Sequence, residues 1–244
     1  MKSKNVIILL TACVNPKGMS FTKLQDADER IKQYSNALKF YLEETDFNIV
    51  IVENTLYEKG FDVDDKRVEY LTFDGNNYDK SLGKGYGEAL IIEHALEKST
   101  FLKNADYIIK ITGRLQIKNI VKIIKSLKLN SSRLENIVFS NITWNMKFCY
   151  SNFFISNRFF LNRFLDSKKN INDSKTIFFE NILMNSIIDW KKDNNNFSVL
   201  KFPIIIEGFS GSTGESYSNK LTSSFLFVTQ YFKSFYFNSV KQWK

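Results

Sequence analysis

Three short segments of this chain combine residue types that suit chemistry. Gly208-Phe209-Ser210-Gly211-Ser212-Thr213-Gly214 concentrates small residues and hydroxyls directly after an apolar run. The backbone N–H groups and hydroxyls of Ser210, Gly211, Ser212 and Thr213 in such a loop can wrap a phosphate and close over it. A plain surface loop has the same composition. Gly83-x-Gly85-x-Gly87 precedes an amphipathic stretch, and glycines leading into a helix N-terminus allow close backbone contact with a diphosphate. Close packing of that helix on a sheet explains the same glycines, and Glu88, expected in its first turn, competes with an anion. Glu180, in Phe178-Phe179-Glu180-Asn181, opens a further amphipathic stretch, where an apolar setting raises a carboxyl group toward a useful general base. The helix dipole alone also favours a glutamate there. Asp173 and Glu207 are the other acid–base candidates.

Other chemistries are excluded by composition. His94 is the only histidine, so no His ligand cluster exists, and a Ser-His-Asp arrangement would depend wholly on a residue that sits in a predicted helix. The expectation for His94 is structural. Cys13 and Cys149 match no zinc spacing, and two thiols in 244 residues exclude a disulfide scaffold and suggest a reducing compartment. Asp62-Val63-Asp64-Asp65 has Asp-x-Asp spacing, but its place before a strand makes it a solvated turn.

The elements that must position these residues follow from hydrophobic periodicity. Val6–Leu10, Phe47–Val52, Val68–Phe73 and Tyr107–Ile111 are apolar runs with polar ends, as expected of buried parallel strands. Between them, Asp26–Glu44 and Glu88–Lys98 carry apolar residues at helical spacing. Asn119–Leu129 is a predicted basic helix and Asn136–Ser140 a strand. Aromatic segments around Phe153–Ser156 and Phe159-Phe160 lead into a helix ending by Asp166, then a helix over Phe178–Trp190, a strand over Val199–Ile206 and a polar loop over Glu207–Tyr217. Alternating strands and helices give an α/β domain whose polar strand ends converge on one crevice.

Apolar residues make up 43% and charged residues 25%, which is ordinary for a folded domain. With only Pro16 and Pro203 and no Gly/Ser-rich linker, no seam divides the chain. The net charge of +8 attracts phosphates, nucleic acid or anionic lipid. Lys2 and Lys4 precede the apolar run Val6–Leu10, but five residues fall short of the about 7 to 15 of a secretory signal. No stretch approaches the about 18 apolar residues of a membrane span, so a cytosolic or membrane-surface protein is expected.

The order Val6-Ile7-Ile8-Leu9-Leu10-Thr11, Ile49-Val50-Ile51-Val52-Glu53-Asn54, Lys84-Gly85-Tyr86-Gly87-Glu88-Ala89 and Tyr107-Ile108-Ile109-Lys110-Ile111-Thr112-Gly113-Arg114 resembles the GT-A glycosyltransferases of bacterial capsule and O-antigen synthesis. The resemblance implies a GT-A-like, Rossmann-like, mostly parallel sheet flanked by helices, with a helical, aromatic acceptor part. It implies one domain over 1–218, with a donor half at 1–118 and an acceptor half at 119–218, followed by a basic aromatic helix at 219–244. Thr11, Glu53 and Asn54 would hold base and ribose, and Lys84, Gly85 and Gly87 would form the small-residue loop and helix. At the fourth strand the family's metal-binding Asp-x-Asp is replaced by Thr112-Gly113-Arg114. A hard divalent ion needs anionic oxygen ligands, so Arg114 and Lys110 are expected to take its place, guanidinium binding phosphate in bidentate geometry. Metal-independent action with no cofactor is the expectation, with Mn²⁺ or Mg²⁺ not excluded; the alternative for Arg114 is an ion pair at a strand end. Glu180 resembles the acidic base of inverting members. The implied activity is sugar transfer from a nucleotide-sugar donor to a capsule or lipopolysaccharide glycan, free or lipid-linked, at the cytoplasmic face of the inner membrane.

Two other functions compete. A sugar-nucleotide nucleotidyltransferase wants a basic Gly loop after the first strand, which Thr11–Gly18 matches poorly. A nucleic-acid-binding module wants basic and aromatic residues interleaved on one platform, whereas most aromatics here fall in apolar runs, so no nucleic-acid partner is expected. Leu221–Lys244 contains no acid and places Leu221, Phe225, Val228, Phe232 and Phe235 at helical spacing. Such a helix suits an anionic membrane interface, or it packs on the core or on a second subunit.

Overall fold

The apolar run at the start of the chain continues through Thr11 and Ala12, and all seven residues form β1 (Val6–Ala12), buried along its length. In the computed structural model, which describes residues 4–19, 22–129, 136–211, 213–217 and 224–240, β1 lies near the middle of a seven-stranded sheet. The other strands are β2 (Asn48–Glu53), β3 (Val68–Thr72), β4 (Tyr107–Thr112), β6 (Ile137–Ile142), β7 (Cys149–Ser156) and β8 (Asn196–Val199). Their order is β3-β2-β1-β4-β7-β6-β8. The first four strands run parallel, β7 is antiparallel to both neighbours, and β8 is parallel to β6. This is the expected α/β architecture with a mostly parallel sheet flanked by helices.

Because β1 is covered on both faces, its alternate residues feed different cores. Ile7 and Leu9 join the layer beneath α2 (Lys84–Lys98), α4 (Arg158–Asp166) and α5 (Phe179–Lys192). Ile8 and Leu10 join the layer beneath α1 (Ala27–Glu44) and α3 (Ile120–Leu127). The α1 start was legible: the Asp26 side chain accepts the Glu29 N–H as an N-cap.

Two boundaries differ from expectation for local reasons. The helix expected from Glu88 begins at Lys84, one turn earlier, with Gly83 as N-cap, so Glu88 is not in the first turn and no acid is. The strand expected over Val199–Ile206 is two pieces: β8 ends at Val199, and Ile206–Glu207 forms β9, paired antiparallel with β5 (Gln116–Ile117). Pro203 lies between them, and a residue without an N–H cannot continue a ladder. The chain closes with α6 (Ser224–Phe235) and a further wide turn over Tyr236–Val240. No helix among the described residues is long and apolar enough to cross a membrane.

Candidate functional site

The chain leaves β1 toward β2 on one side and returns through α2 to β4 on the other, so the carboxyl ends of β1 and β4 bound a crevice of the kind where α/β sheets bind ligands. Thr11 and Thr112 face each other there in register. The crevice has two adjoining parts. The first, about 130 Å³, is lined by Thr11, Cys13, Arg30, Tyr34, Asn54 and Arg114, among others. The second, about 270 Å³, is lined by Tyr150, Asn152, Asp173, Glu180, Ser210 and Gly211, and both parts share Lys84, Glu88, Thr112 and Arg114.

Arg114 stands at the junction. It is only 7% exposed, and its Nη1 donates to Gln33 Oε1 at 3.0 Å and the Phe209 carbonyl at 3.4 Å. No carboxylate pairs with it among the described residues, which removes the strand-end ion pair as its explanation. Gly211 packs so closely that a Cβ there would stand 2.6 Å from Arg114 Nη2. The loop after β9 therefore lies directly over the guanidinium.

Arg30, which the sequence did not single out, is a second buried cation at the first cleft. Its guanidinium donates to the carbonyls of Cys13 and Leu24 and to the Tyr34 hydroxyl, all neutral groups. The signal was present: Arg30 shares a helical stripe with Tyr34 and Leu38, and a charge on a buried helix face asks for a reason. Burial pushes the Cys13 thiol up to about 11, despite the nearby Arg30, so it stays neutral. Asn54 is buried, lines the same cleft, and its Oδ1 has no hydrogen-bond partner among the described residues. That is an unused acceptor, among the described residues, in the wall of the first cleft.

Several expected donor-binding residues serve elsewhere. Glu53 is fully buried, and its carboxylate accepts from the N–H groups of Val14, Thr55 and Tyr57 and the hydroxyls of Thr55 and Thr72. Its lone pairs are spent fastening the loops after β1 and β2. Lys110 is 0% exposed and paired with Glu88, and it donates to the Ser151 carbonyl at 2.6 Å. It lies under the crevice floor and neutralises Glu88, which also receives Thr11 Oγ1 at 3.0 Å. Gly87 and Gly85 line the first and second parts of the crevice and at the same time pack closely against their neighbours. A Cβ on Gly85 would lie 2.8 Å from Phe179 Cβ, on Gly87 2.4 Å from the Tyr78 hydroxyl, and on Gly113 2.7 Å from the Thr11 carbonyl oxygen.

The α2 N-terminus already holds an anion, the carboxylate of Asp173. It receives the Lys84 N–H and presses on Gly83, whose φ of 84° and lack of a side chain make room for it. Burial holds the Asp173 carboxyl above its ordinary value, opposed by the Lys84 charge and reinforced by that of Glu180. Glu180, in the first turn of α5, accepts from Ser151 Oγ at 2.5 Å. The second cleft thus joins three carboxyl groups, those of Asp173 and Glu180 and that of Glu88, which Lys110 neutralises, and Asn152, whose Oδ1 has no hydrogen-bond partner among the described residues, lines it too.

The third acid–base candidate is elsewhere: Glu207 is exposed, pairs with Lys118 at 3.6 Å, and lines neither part of the crevice. In the Gly/Ser loop, Ser210 lines the second cleft while its hydroxyl accepts the Thr213 N–H, and Thr213 is exposed and accepts the Glu215 N–H. Ser212 lies outside the described residues. His94 stacks on Phe73 with ring centroids 4.1 Å apart, away from the crevice, as a structural histidine does. The Asp62–Asp65 segment is a turn in which Asp65 pairs with Arg67 at 3.1 Å. Among the described residues no group of three or more His, Cys, Asp or Glu side chains could hold a metal ion.

No protein-family model and no curated protein matches this chain. Among solved structures it is similar to a glycosyltransferase involved in the glycosylation of the major capsid of PBCV-1, at 12% identity over 80% of each chain with a TM-score of 0.47. It is also similar to a chain from Desulfovibrio desulfuricans G20 described as a nucleotide-diphospho-sugar transferase, at 10% identity over 81% of this chain and 80% of that one, with a TM-score of 0.44.

Proposed function

We propose that this chain transfers a sugar from a nucleotide-sugar donor to a glycan acceptor, of the capsule or lipopolysaccharide type and free or lipid-linked, without a metal ion. The observation that supports this reading is the two-part crevice: buried guanidinium groups with neutral partners among the described residues in one part, the carboxyl groups of Asp173 and Glu180 in the other, and Arg114 between. Buried charges are normally paired, and Arg114, with neutral acceptors alone among the described residues, is an anion site in waiting. A diphosphate seated beside Arg114 and Lys84 supplies the missing charge, and the Asn54 amide oxygen can accept an N–H of the base. In the transfer, the acceptor hydroxyl gives its proton to Glu180, whose carboxylate Ser151 holds at the second cleft, and its oxygen bonds to the anomeric carbon of the donor sugar as the bond from that carbon to the diphosphate breaks. The nucleoside diphosphate leaves with the bonding electron pair, and its charge falls beside Arg114.

A thermal-stabilisation screen over UDP, GDP, CMP and dTDP compounds in EDTA tests this, because a ligand of the folded state raises the melting temperature. One nucleotide class should stabilise the protein. If none does, the donor assignment fails; if stabilisation needs Mn²⁺ or Mg²⁺, the metal-free part fails.

A further inference from the structure

The C-terminal helix docks through polar residues and leaves its aromatic side uncovered. Gln230, Ser234 and Asn238 recur at every fourth residue and bond to the edge of the sheet. Gln230 Nε2 donates to Asn141 Oδ1 and the Leu200 carbonyl, Ser234 Oγ and Asn238 Nδ2 donate to the Val199 carbonyl, and the Val199 N–H donates to Asn238 Oδ1. These bonds satisfy backbone groups at an otherwise open strand edge. The remaining circumference is aromatic and exposed: Phe225 at 71%, Phe232 at 62% and Phe235 at 56%.

Cations border this face. Lys122 of α3 lies 4.5 Å from the Phe202 ring centroid and 5.1 Å from that of Phe227, joining α3 to α6. Lys125, one turn after Lys122 on α3, and Lys128 are exposed, as is Lys201, and Lys201 shares with Phe202, Phe227 and Phe232 an apolar groove of about 420 Å³. Neither Gln116–Leu129 nor Ser216–Lys244 contains an acid.

We propose that this face docks on an anionic lipid bilayer, with Phe225, Phe232 and Phe235 at the interface and Lys122, Lys125 and Lys201 on the lipid phosphates. A ring-bearing, acid-free, lysine-bordered helix face has the composition that binds such surfaces. Pairing with a second copy would set lysines against lysines with no acid on either side, and like charges across an interface oppose association. On its buried side the helix reaches the second cleft, since Lys233 Nζ lies 5.8 Å from the ring of Tyr150, which lines that cleft. The inference stands whether or not the crevice transfers sugar.

The full chain should sediment with vesicles of equimolar phosphatidylcholine and phosphatidylglycerol, not with phosphatidylcholine alone, and salt should weaken the binding. Phe225→Ser with Phe232→Ser should weaken it by about tenfold or more, since withdrawing one ring from an apolar setting already costs that much, with the melting temperature unchanged. Should that variant fold poorly, Lys122→Glu with Lys125→Glu, on the exposed side of α3, provides the second test: lost binding supports the proposal. Equal sedimentation with neutral vesicles, wild-type binding by the lysine variant, or a dimer that Phe232→Ser splits and that ignores lipid would each overturn it.

Discussion

Replacing Arg114 by alanine separates an anion-binding arginine from one that braces the fold, because the structure assigns opposite signatures to the two roles. The guanidinium is 7% exposed, and among the described residues it donates to neutral acceptors alone, Gln33 Oε1 and the Phe209 carbonyl. In the free protein it therefore carries a desolvation cost with little electrostatic return. Its removal should leave the melting temperature of the ligand-free protein unchanged or slightly raised. With a diphosphate bound, the same group makes charge-assisted hydrogen bonds worth about 1.5 to 3 kcal/mol. Losing them should raise the dissociation constant roughly 10- to 150-fold, at 1.4 kcal/mol per decade. Isothermal titration with the nucleotide found by stabilisation screening, alongside melting curves of both proteins without ligand, reads both quantities. Arg114→Lys should recover part of the affinity, since it restores the charge without the bidentate geometry. An affinity within a factor of about two of wild type, coupled to a melting temperature lowered by several degrees, would refute this account and make Arg114 a strut between α1 and the loop above it.

Glu180→Gln should lower turnover by on the order of a hundredfold or more while nucleotide affinity stays near wild type, as expected when only basicity is removed; full activity would transfer the role to Asp173. Because burial raises the Asp173 carboxyl in the folded state, its contribution to stability is present below the ordinary aspartate range and is lost as pH rises through the raised value. Asp173→Asn should therefore melt higher than wild type at neutral pH, with the gap closing in acid; a gap that widens in acid would contradict the burial argument. Gly85→Ala sets a methyl group 2.8 Å from Phe179 Cβ and should destabilise by about 1 to 3 kcal/mol in urea melts, the scale of overpacking. If stability is unchanged but nucleotide binding is lost, Gly85 touches the ligand after all.

Hydrophobic runs and their polar ends, which are local properties, determined the strands from β1 to β4, the helices between them and the parallel α/β class, since a strand buried on both faces must be continuously apolar. The positions of Arg114 after β4 and of Glu180 in the first turn of α5 were legible for the same reason: a charged residue at a strand end or a helix start is placed by the element itself. The aromatic amphipathic tail was legible as a pattern too, but periodicity specifies that a face exists and not which face docks. Only the tertiary structure decided that α6 is held by Gln230, Ser234 and Asn238. Tertiary contacts also engaged Glu53 and Lys110 and set how closely the glycines pack, because a side chain's availability depends on what distant segments bring against it. The N–H groups of Val14 and Tyr57 consume Glu53, Glu88 consumes Lys110, and Phe179 and Tyr78 fill the space that Gly85 and Gly87 leave. Arg30 was hidden because its interest lies in having neutral partners alone among the described residues, and the charge of a partner is a property of the folded neighbourhood that sequence spacing does not carry.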